Sequence, residues 1–262
     1  MVIARKAAIN LAGGGPSPPA RVILPRVTLV LLTPIGLDAG CWEHVPLPDV
    51  DTVKHTFPGF GGRPRAPQQP TMASLADEIA ASYDGSLALA GVSLGGMVAQ
   101  HLAVRHPQRV HSLLVACTGA SADPSTMEGR AARAETDGMA GVLEETLARW
   151  FTPAALAEHP EHAGVAYARR TLLALEPGCF ADGWRAIAGH DIVARLGEIA
   201  VPTSALAGSL DSASPLPRTR EISERVPNAR FVVLDGPHMM HLERPGEFAA
   251  ALVEHLRWAG EL

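Results

Sequence analysis

A serine flanked by two glycines stands between an apolar run and a stretch of helical spacing. Ser93 lies between Gly91 and Gly95, after the apolar residues 87–90 and before the amphipathic residues 97–103. A strand, a tight turn and a helix in this order are typical of a nucleophile elbow, in which the glycines leave room for a strained serine backbone. The five-residue pattern is weak by itself, but the elements around it strengthen it. We therefore predict that Ser93 is a nucleophile at the carboxyl end of a strand.

A serine hydroxyl needs a histidine to take its proton and a carboxylate to orient that histidine. Asp211 comes just after the predicted strand 201–207, and His238 comes just after the predicted strand 230–234. The carboxyl ends of parallel strands meet at one edge of a sheet, so both residues should lie near Ser93. The sequence thus predicts a catalytic triad of Ser93, Asp211 and His238.

The elements that position these residues predict an α/β fold. Strands alternate with helices in the first half of the chain, which is the signature of a doubly wound domain with a mostly parallel sheet. The predicted strands are 27–32, 52–57, 87–90, 110–116, 201–207 and 230–234. The predicted helices of this core include 73–83, with Thr71 or Ser74 as its cap, and 245–258.

The pattern changes in the middle of the chain. Residues 121–190 are rich in Ala, Glu, Arg and Leu at helical spacing and contain no convincing strand. We therefore predict that they form a helical cap inserted into a core of residues 1–120 and 191–262. One domain with one insertion accounts for all 262 residues.

Composition argues against several classes of partner. The net charge is −5 and 47% of the residues are hydrophobic. Because Lys and Arg do not cluster, neither nucleic acid nor an anionic membrane is expected as a partner. No apolar stretch approaches the roughly 18 residues of a membrane helix. The apolar residues near the start are interrupted by Asn10 and by the glycines 13–15, so we predict a cytoplasmic protein without a signal peptide.

The three cysteines give no sign of a disulfide framework or a zinc site. Cys41, Cys117 and Cys179 are odd in number and widely spaced. We expect each to be buried as a small apolar side chain.

The motifs around the predicted triad resemble those of the α/β-hydrolases, and among them the 3-oxoadipate enol-lactonases. In these enzymes the acid lies in an Ala-Gly-x-x-Asp stretch, which residues 207–211 match. Their histidine stands five residues before the glutamate of a Glu-x-Pro tripeptide, which His238 and Glu243 match. The resemblance covers nearly the whole chain after about residue 25, and it implies the α/β-hydrolase fold.

Two further stretches carry the resemblance to the enol-lactonases. Most α/β-hydrolases have His-Gly in the first oxyanion loop, where this chain has Thr33-Pro34. Enol-lactonases are similar in lacking His-Gly there. In the cap, residues 147–153 (LARWFTP) and the pair Gly138-Met139 also resemble enol-lactonase sequence.

The resemblance implies a substrate and a set of contacts. The substrate would be a carboxylated butenolide, opened to 3-oxoadipate without a cofactor or a metal. The backbone N–H groups of Ile35 and Leu94 would hold the oxyanion. In the cap, an arginine would neutralise the carboxylate and two tryptophans would form apolar walls, unless these side chains belong to a solvated helix face and to the core. The predicted substrate-binding residues are Arg149, Trp150, Trp184 and Arg185.

Other residues compete for two places in the triad. Asp211 could be a turn or capping residue, and His241 could carry the chemistry in place of His238. In some relatives the acid follows the preceding strand, where Asp123 is the candidate. The Ala-Gly stretch favours Asp211, and the spacing to Glu243 favours His238.

Other functions share this triad. A carboxylesterase, a methylesterase, a carbon–carbon bond hydrolase and a cofactor-free haloperoxidase would need the same residues, because this fold hosts many reactions. A ligand receptor that keeps the pocket only for binding is an alternative from another class. Turnover of p-nitrophenyl acetate would distinguish an esterase from a receptor.

Overall fold

The computed structural model describes residues 27–262. The interruption of the apolar run near Asn10, and the part of the predicted core before Val27, lie outside the described residues. Within them, no helix combines the length and the apolar character needed to cross a membrane.

Six parallel strands form the central sheet, in the order β2-β1-β3-β4-β5-β6. The parallel α/β fold expected from the alternating pattern is confirmed. β1, β3 and β5 lie inside the sheet and are almost entirely buried, as their continuous apolar sequences predict. The strands are β1 Val27–Leu32, β2 Thr52–His55, β3 Ser86–Val92, β4 Val110–Ala116, β5 Thr203–Gly208 and β6 Ala229–Leu234.

Two strands are shorter than predicted at an end that lies next to a proline. β2 ends at His55, two residues before the predicted end, and Pro58 follows soon after. β5 begins at Thr203, directly after Pro202. Pro202 has no N–H to donate to a sheet ladder, which explains why β5 begins after it.

The described residues form nine α-helices. At the start of α1, Thr71 and Ser74 form a reciprocal capping box, so both predicted capping residues take part. The helices are α1 Met72–Ser82, α2 Leu94–Arg105, α3 Pro124–Trp150, α4 Pro153–Leu156, α5 Ala163–Leu173, α6 Pro177–Ala188, α7 Leu216–Arg225, α8 Met240–Glu243 and α9 Pro245–Trp258.

The segment between β4 and β5 begins with four helices, α3 to α6. An isolated antiparallel bridge joins Ser121 to Asp191 and brings the two ends of this segment together. Inside α3, Gly138 has φ 69° and ψ 174°, which divides the helix at a kink. We propose that residues 121–190 form a cap, the term used for them below.

All three cysteines are buried and unpaired, as expected. Burial raises the pKa of the Cys41 and Cys117 thiols well above the usual value, so both are neutral at ordinary pH.

Four of the buried histidines outside the predicted triad have strongly lowered pKa values. Burial lowers the pKa of His55 and His190 to about 4, and that of His241 and His255 to about 3. In the unfolded chain these groups bind protons near pH 6.5, so the folded state loses stability as the pH falls below that value. At pH 5.5 each histidine costs about 1.4 kcal/mol, and the four together cost about 6 kcal/mol. This cost is a large share of the free energy of unfolding of a typical domain, which is about 5 to 15 kcal/mol.

We therefore expect the urea midpoint to fall steeply between pH 7 and pH 5.5, measured by circular dichroism. The exposed His44 supplies the control, because His44→Gln should leave this pH dependence unchanged. A urea midpoint that stays constant over this range would contradict the prediction.

Candidate active site

Ser93 lies in a sharp turn between β3 and α2. Its backbone has φ 54° and ψ −116°, a conformation that residues other than glycine rarely adopt. A Cβ on Gly91 would lie 2.4 Å from the carbonyl carbon of Gly95, and a Cβ on Gly95 would lie 2.3 Å from the carbonyl oxygen of Leu32. Both glycines are therefore required by close backbone packing, which is the geometry that a nucleophile elbow needs.

The structure brings the three residues of the predicted triad together. The Ser93 Oγ lies 3.0 Å from Nε2 of His238, and Nδ1 of His238 lies 2.9 Å from Oδ2 of Asp211. With its proton on Nδ1, His238 donates to the carboxylate and accepts from the serine hydroxyl. All three side chains are buried. This arrangement can remove a proton from Ser93 and stabilise the imidazolium that results.

Backbone N–H groups hold the Asp211 carboxylate from its other side. Its Oδ1 accepts hydrogen bonds from the N–H groups of Ala213 and Ser214, both at 2.8 Å. Burial raises the pKa of Asp211, but His238 and these two N–H groups more than offset it, so the pKa lies below its usual value. Asp211 is therefore ionised at neutral pH.

The competing acid and the competing histidine lie elsewhere. The exposed Asp123 caps α3 and accepts a hydrogen bond from the N–H of Thr126 at 3.0 Å. His241 is fully buried, with its ring centroid 4.9 Å from that of Trp42. Neither ring nitrogen of His241 has a hydrogen-bond partner among the described residues. The geometry thus favours Asp211 and His238 over these two alternatives.

Two backbone N–H groups next to Ser93 are free to bind an oxyanion. Leu94 is the first residue of α2, and Ile35 lies in the loop after β1 and lines the same cavity as Ser93. Neither N–H donates a hydrogen bond to any residue that the structure describes. A helix N-terminus adds a favourable dipole for a negative charge.

Cys117 lies beside the acid and the histidine of the triad. Its Sγ and the nearest ligand atoms of Asp211 and His238 all lie within 4.8 Å of one another. Within residues 27–262 this is the one group of three or more His, Cys, Asp and Glu side chains close enough together to hold a metal ion. A metal bound there would occupy one ring nitrogen of His238 and displace its hydrogen bond to Asp211 or to Ser93.

A cavity opens beside Ser93 and His238, and three of the four predicted cap residues line it. These are Arg149, Trp150 and Trp184. The structure does not bring Arg185 to this cavity, and the prediction for that residue is corrected here. Neighbouring residues of a helix point about 100° apart, so α6 directs Trp184 inward and Arg185 outward. Arg185 forms two hydrogen bonds of 2.7 Å with Glu135 on the outer face.

The sequence analysis missed two arginines of this cavity. Arg130 on α3 lies over the ring of Trp184, with its guanidinium carbon 4.8 Å from the ring centroid. Arg218 on α7 donates a hydrogen bond to the carbonyl of Ser121. No signal in the sequence separates these two residues from the arginines of a solvated helix face.

The segment that carries His238 is bonded directly to the cap. The N–H of Met239 donates to the carbonyl of Trp150 at 3.0 Å. The Glu243 carboxylate accepts two hydrogen bonds from Thr152, from its N–H at 2.9 Å and from its hydroxyl at 2.8 Å. The glutamate of the Glu-x-Pro motif therefore joins the end of the cap helix α3 to the histidine segment.

Comparison with known proteins gives a family match and named relatives. Residues 29–251 match the sequence model of the alpha/beta hydrolase family. The pimeloyl-(acyl-carrier protein) methyl ester esterase of Chromobacterium violaceum is 32% identical over 216 residues, which are 76% of this chain and 81% of that protein. The 3-oxoadipate enol-lactonase 1 of Acinetobacter baylyi is 26% identical and covers 84% of this chain and 85% of its own length. Both names describe cleavage of a carboxylic ester bond.

A solved structure shows the same fold. The enol-lactonase from Burkholderia xenovorans LB400 superposes with a TM-score of 0.82 at 24% identity, over 88% of this chain and 92% of that one.

Proposed function

Since the chain belongs to the alpha/beta hydrolase family and is a carboxylic ester hydrolase, we propose that it opens a carboxylated lactone, with 3-oxoadipate enol-lactone as the leading substrate. One observation carries this proposal. Hydrogen bonds run without interruption from Asp211 through His238 to Ser93, beside a cavity whose described lining includes three arginines and no carboxylate. Arg149 is paired with Glu145, but Arg130 and Arg218 form no ion pair with any described residue, so the cavity keeps a net positive charge that fits an anionic ester.

In the proposed reaction, Ser93 forms an acyl-enzyme. Its Oγ attacks the ring carbonyl while His238 takes the hydroxyl proton, and the N–H groups of Ile35 and Leu94 stabilise the oxyanion. The ring C–O bond then breaks, and His238 returns its proton to the departing enolate. Because the ring was a lactone, the leaving group stays covalently part of the acyl chain. A water molecule activated by His238 attacks the acyl carbonyl and releases the diacid.

Arg149 is the proposed contact for the substrate carboxylate. Its guanidinium lines the cavity and is oriented by Glu145 and by the hydroxyl of Thr146. Trp150 and Trp184 provide apolar walls that exclude water and so strengthen the charge interaction. A planar guanidinium suits bidentate recognition of a carboxylate.

We expect Arg149→Ala to lower kcat/KM for the enol-lactone by about 30-fold to several hundred-fold, since loss of a charge-assisted contact costs about 2 to 4 kcal/mol. Neutral p-nitrophenyl acetate lacks the carboxylate, so its turnover should change little. The ratio of the two kcat/KM values is the measurement. Arg185→Ala is the matched control, because Arg185 is paired with Glu135 outside the cavity. An unchanged ratio in Arg149→Ala would refute this contact.

A second candidate function is hydrolysis of a methyl ester on a longer acyl chain. It is favoured by the 32% identity to a protein named as a methyl ester esterase. In that case the Ser93 Oγ attacks the ester carbonyl, and methanol leaves with the proton from His238 as the acyl-enzyme forms. Water activated by His238 then releases the free acid. Steady-state kinetics with the enol-lactone, a set of methyl esters and p-nitrophenyl acetate decide between the candidates. A wild-type enzyme that hydrolyses methyl esters and leaves the enol-lactone intact would replace the leading proposal with this one.

A further inference from the structure

A second cavity lies in the cap, next to the cavity that contains Ser93. Three side chains line both cavities and so form the wall between them: Arg130, Arg149 and Trp184. Beyond this wall, the second cavity is lined by the apolar Val142 and Phe180 and by the polar Arg133, Glu145 and Thr146. The wall therefore separates the space around Ser93 from a space inside the cap that is partly apolar.

The two arginines of this wall are held differently. Arg149 is fixed by an ion pair with Glu145 and by a hydrogen bond to Thr146 at 3.3 Å. Arg130 forms no ion pair with any described residue. It stacks on Trp184 at 4.8 Å and makes only a long contact of 3.9 Å with the sulfur of Met127. The side chain of Arg130 is thus the part of the wall with the fewest polar restraints.

We propose that Arg130 is a specificity-determining residue that limits the length of the acyl chain. A short acyl group on Ser93 ends at the wall, whereas a longer neutral chain must displace the Arg130 guanidinium from Trp184 to reach the second cavity. The inference rests on the proposed function, because it takes the Oγ of Ser93 as the atom that carries the acyl group. It is independent of the natural substrate and of the role of Arg149.

Neutral p-nitrophenyl esters from acetate to octanoate test this proposal. Each methylene that enters apolar space raises kcat/KM about fourfold. In Arg130→Ala the wall is open, so the ratio of kcat/KM for the hexanoate ester to that for the acetate ester should rise at least about tenfold over the wild type. Arg130→Lys keeps a long cationic side chain over Trp184 and should retain the wild-type preference for short chains.

Arg133→Ala is the matched control. Arg133 is also an arginine of α3, but it lines only the second cavity and is half exposed. Its removal should leave the ratio of hexanoate to acetate turnover at the wild-type value. An unchanged ratio in Arg130→Ala, or an equal rise in Arg133→Ala, would overturn the proposal. Failure of the proposed function is seen separately, as a wild-type protein that leaves the enol-lactone intact while it hydrolyses these esters, and it would not affect the result for Arg130. A wild-type protein that hydrolyses none of the esters would overturn both proposals.

Discussion

Replacing Ser93 with alanine should lower kcat for p-nitrophenyl acetate by at least about 10⁴-fold and leave folding unchanged. The hydroxyl is the atom that would form the acyl-enzyme, and His238 has no other proton to take at 3.0 Å. Without the nucleophile, only the oxyanion donors and substrate binding remain, and these supply a small part of the rate. Ala can occupy the turn, because the crowding there concerns Gly91 and Gly95.

Burst and steady-state kinetics of Ser93→Ala measure this loss, with melting temperature as the check on folding. Ser125→Ala is the matched control, because Ser125 is exposed at the start of α3 and should keep wild-type activity. If Ser93→Ala keeps more than a tenth of the wild-type turnover, the nucleophile is another residue.

The second large effect is expected for His238→Ala, which should be about as damaging as Ser93→Ala because triad residues act as a unit. His241→Ala should lower kcat less than about tenfold. Its main effect should be a loss of about 1 to 3 kcal/mol in stability, since the imidazole packs against Trp42 and Phe248.

Kinetics and urea denaturation of the two variants, side by side, separate these roles. Added imidazole should restore part of the turnover of His238→Ala, because it can occupy the vacated space and accept the serine proton, and it should not affect His241→Ala. The reverse ranking of the two variants would mean that His241 is the base.

The geometry around Ser93 could be predicted from the sequence because it depends on local pattern and on strand direction. An apolar run followed by Gly-x-Ser-x-Gly demands a strand and a tight turn, and the two glycines lie where a Cβ would meet backbone atoms. Once β5 and β6 are recognised as parallel strands, Asp211 and His238 must emerge at the same edge as Ser93. No long-range packing detail is needed for either step.

The lining of the cavity could not be predicted in the same way. The spacing of residues in the cap predicts helices, but which side of each helix covers Ser93 depends on how the helices pack against one another. Arg185 and Trp184 are neighbours in sequence, but Trp184 lines the cavity and Arg185 lies on the outer face. Arg130 has the sequence context of a solvated arginine, and only its position over Trp184 distinguishes it. The role of Glu243 as a partner of Thr152 likewise depends on tertiary packing.

The bonds between the cap and the histidine segment constrain how this protein can recombine with its relatives. A chimera that exchanged residues 121–190 alone would separate Trp150 and Thr152 from their partners Met239 and Glu243. A foreign cap would then have to bring its own acceptor for the Met239 N–H and its own donors for the half-buried Glu243 carboxylate. Viable crossovers should therefore take residues 150–152 and 239–243 from the same parent. The end of the cap helix α3 and the segment next to His238 should therefore be exchanged together, although nearly ninety residues separate them in the chain.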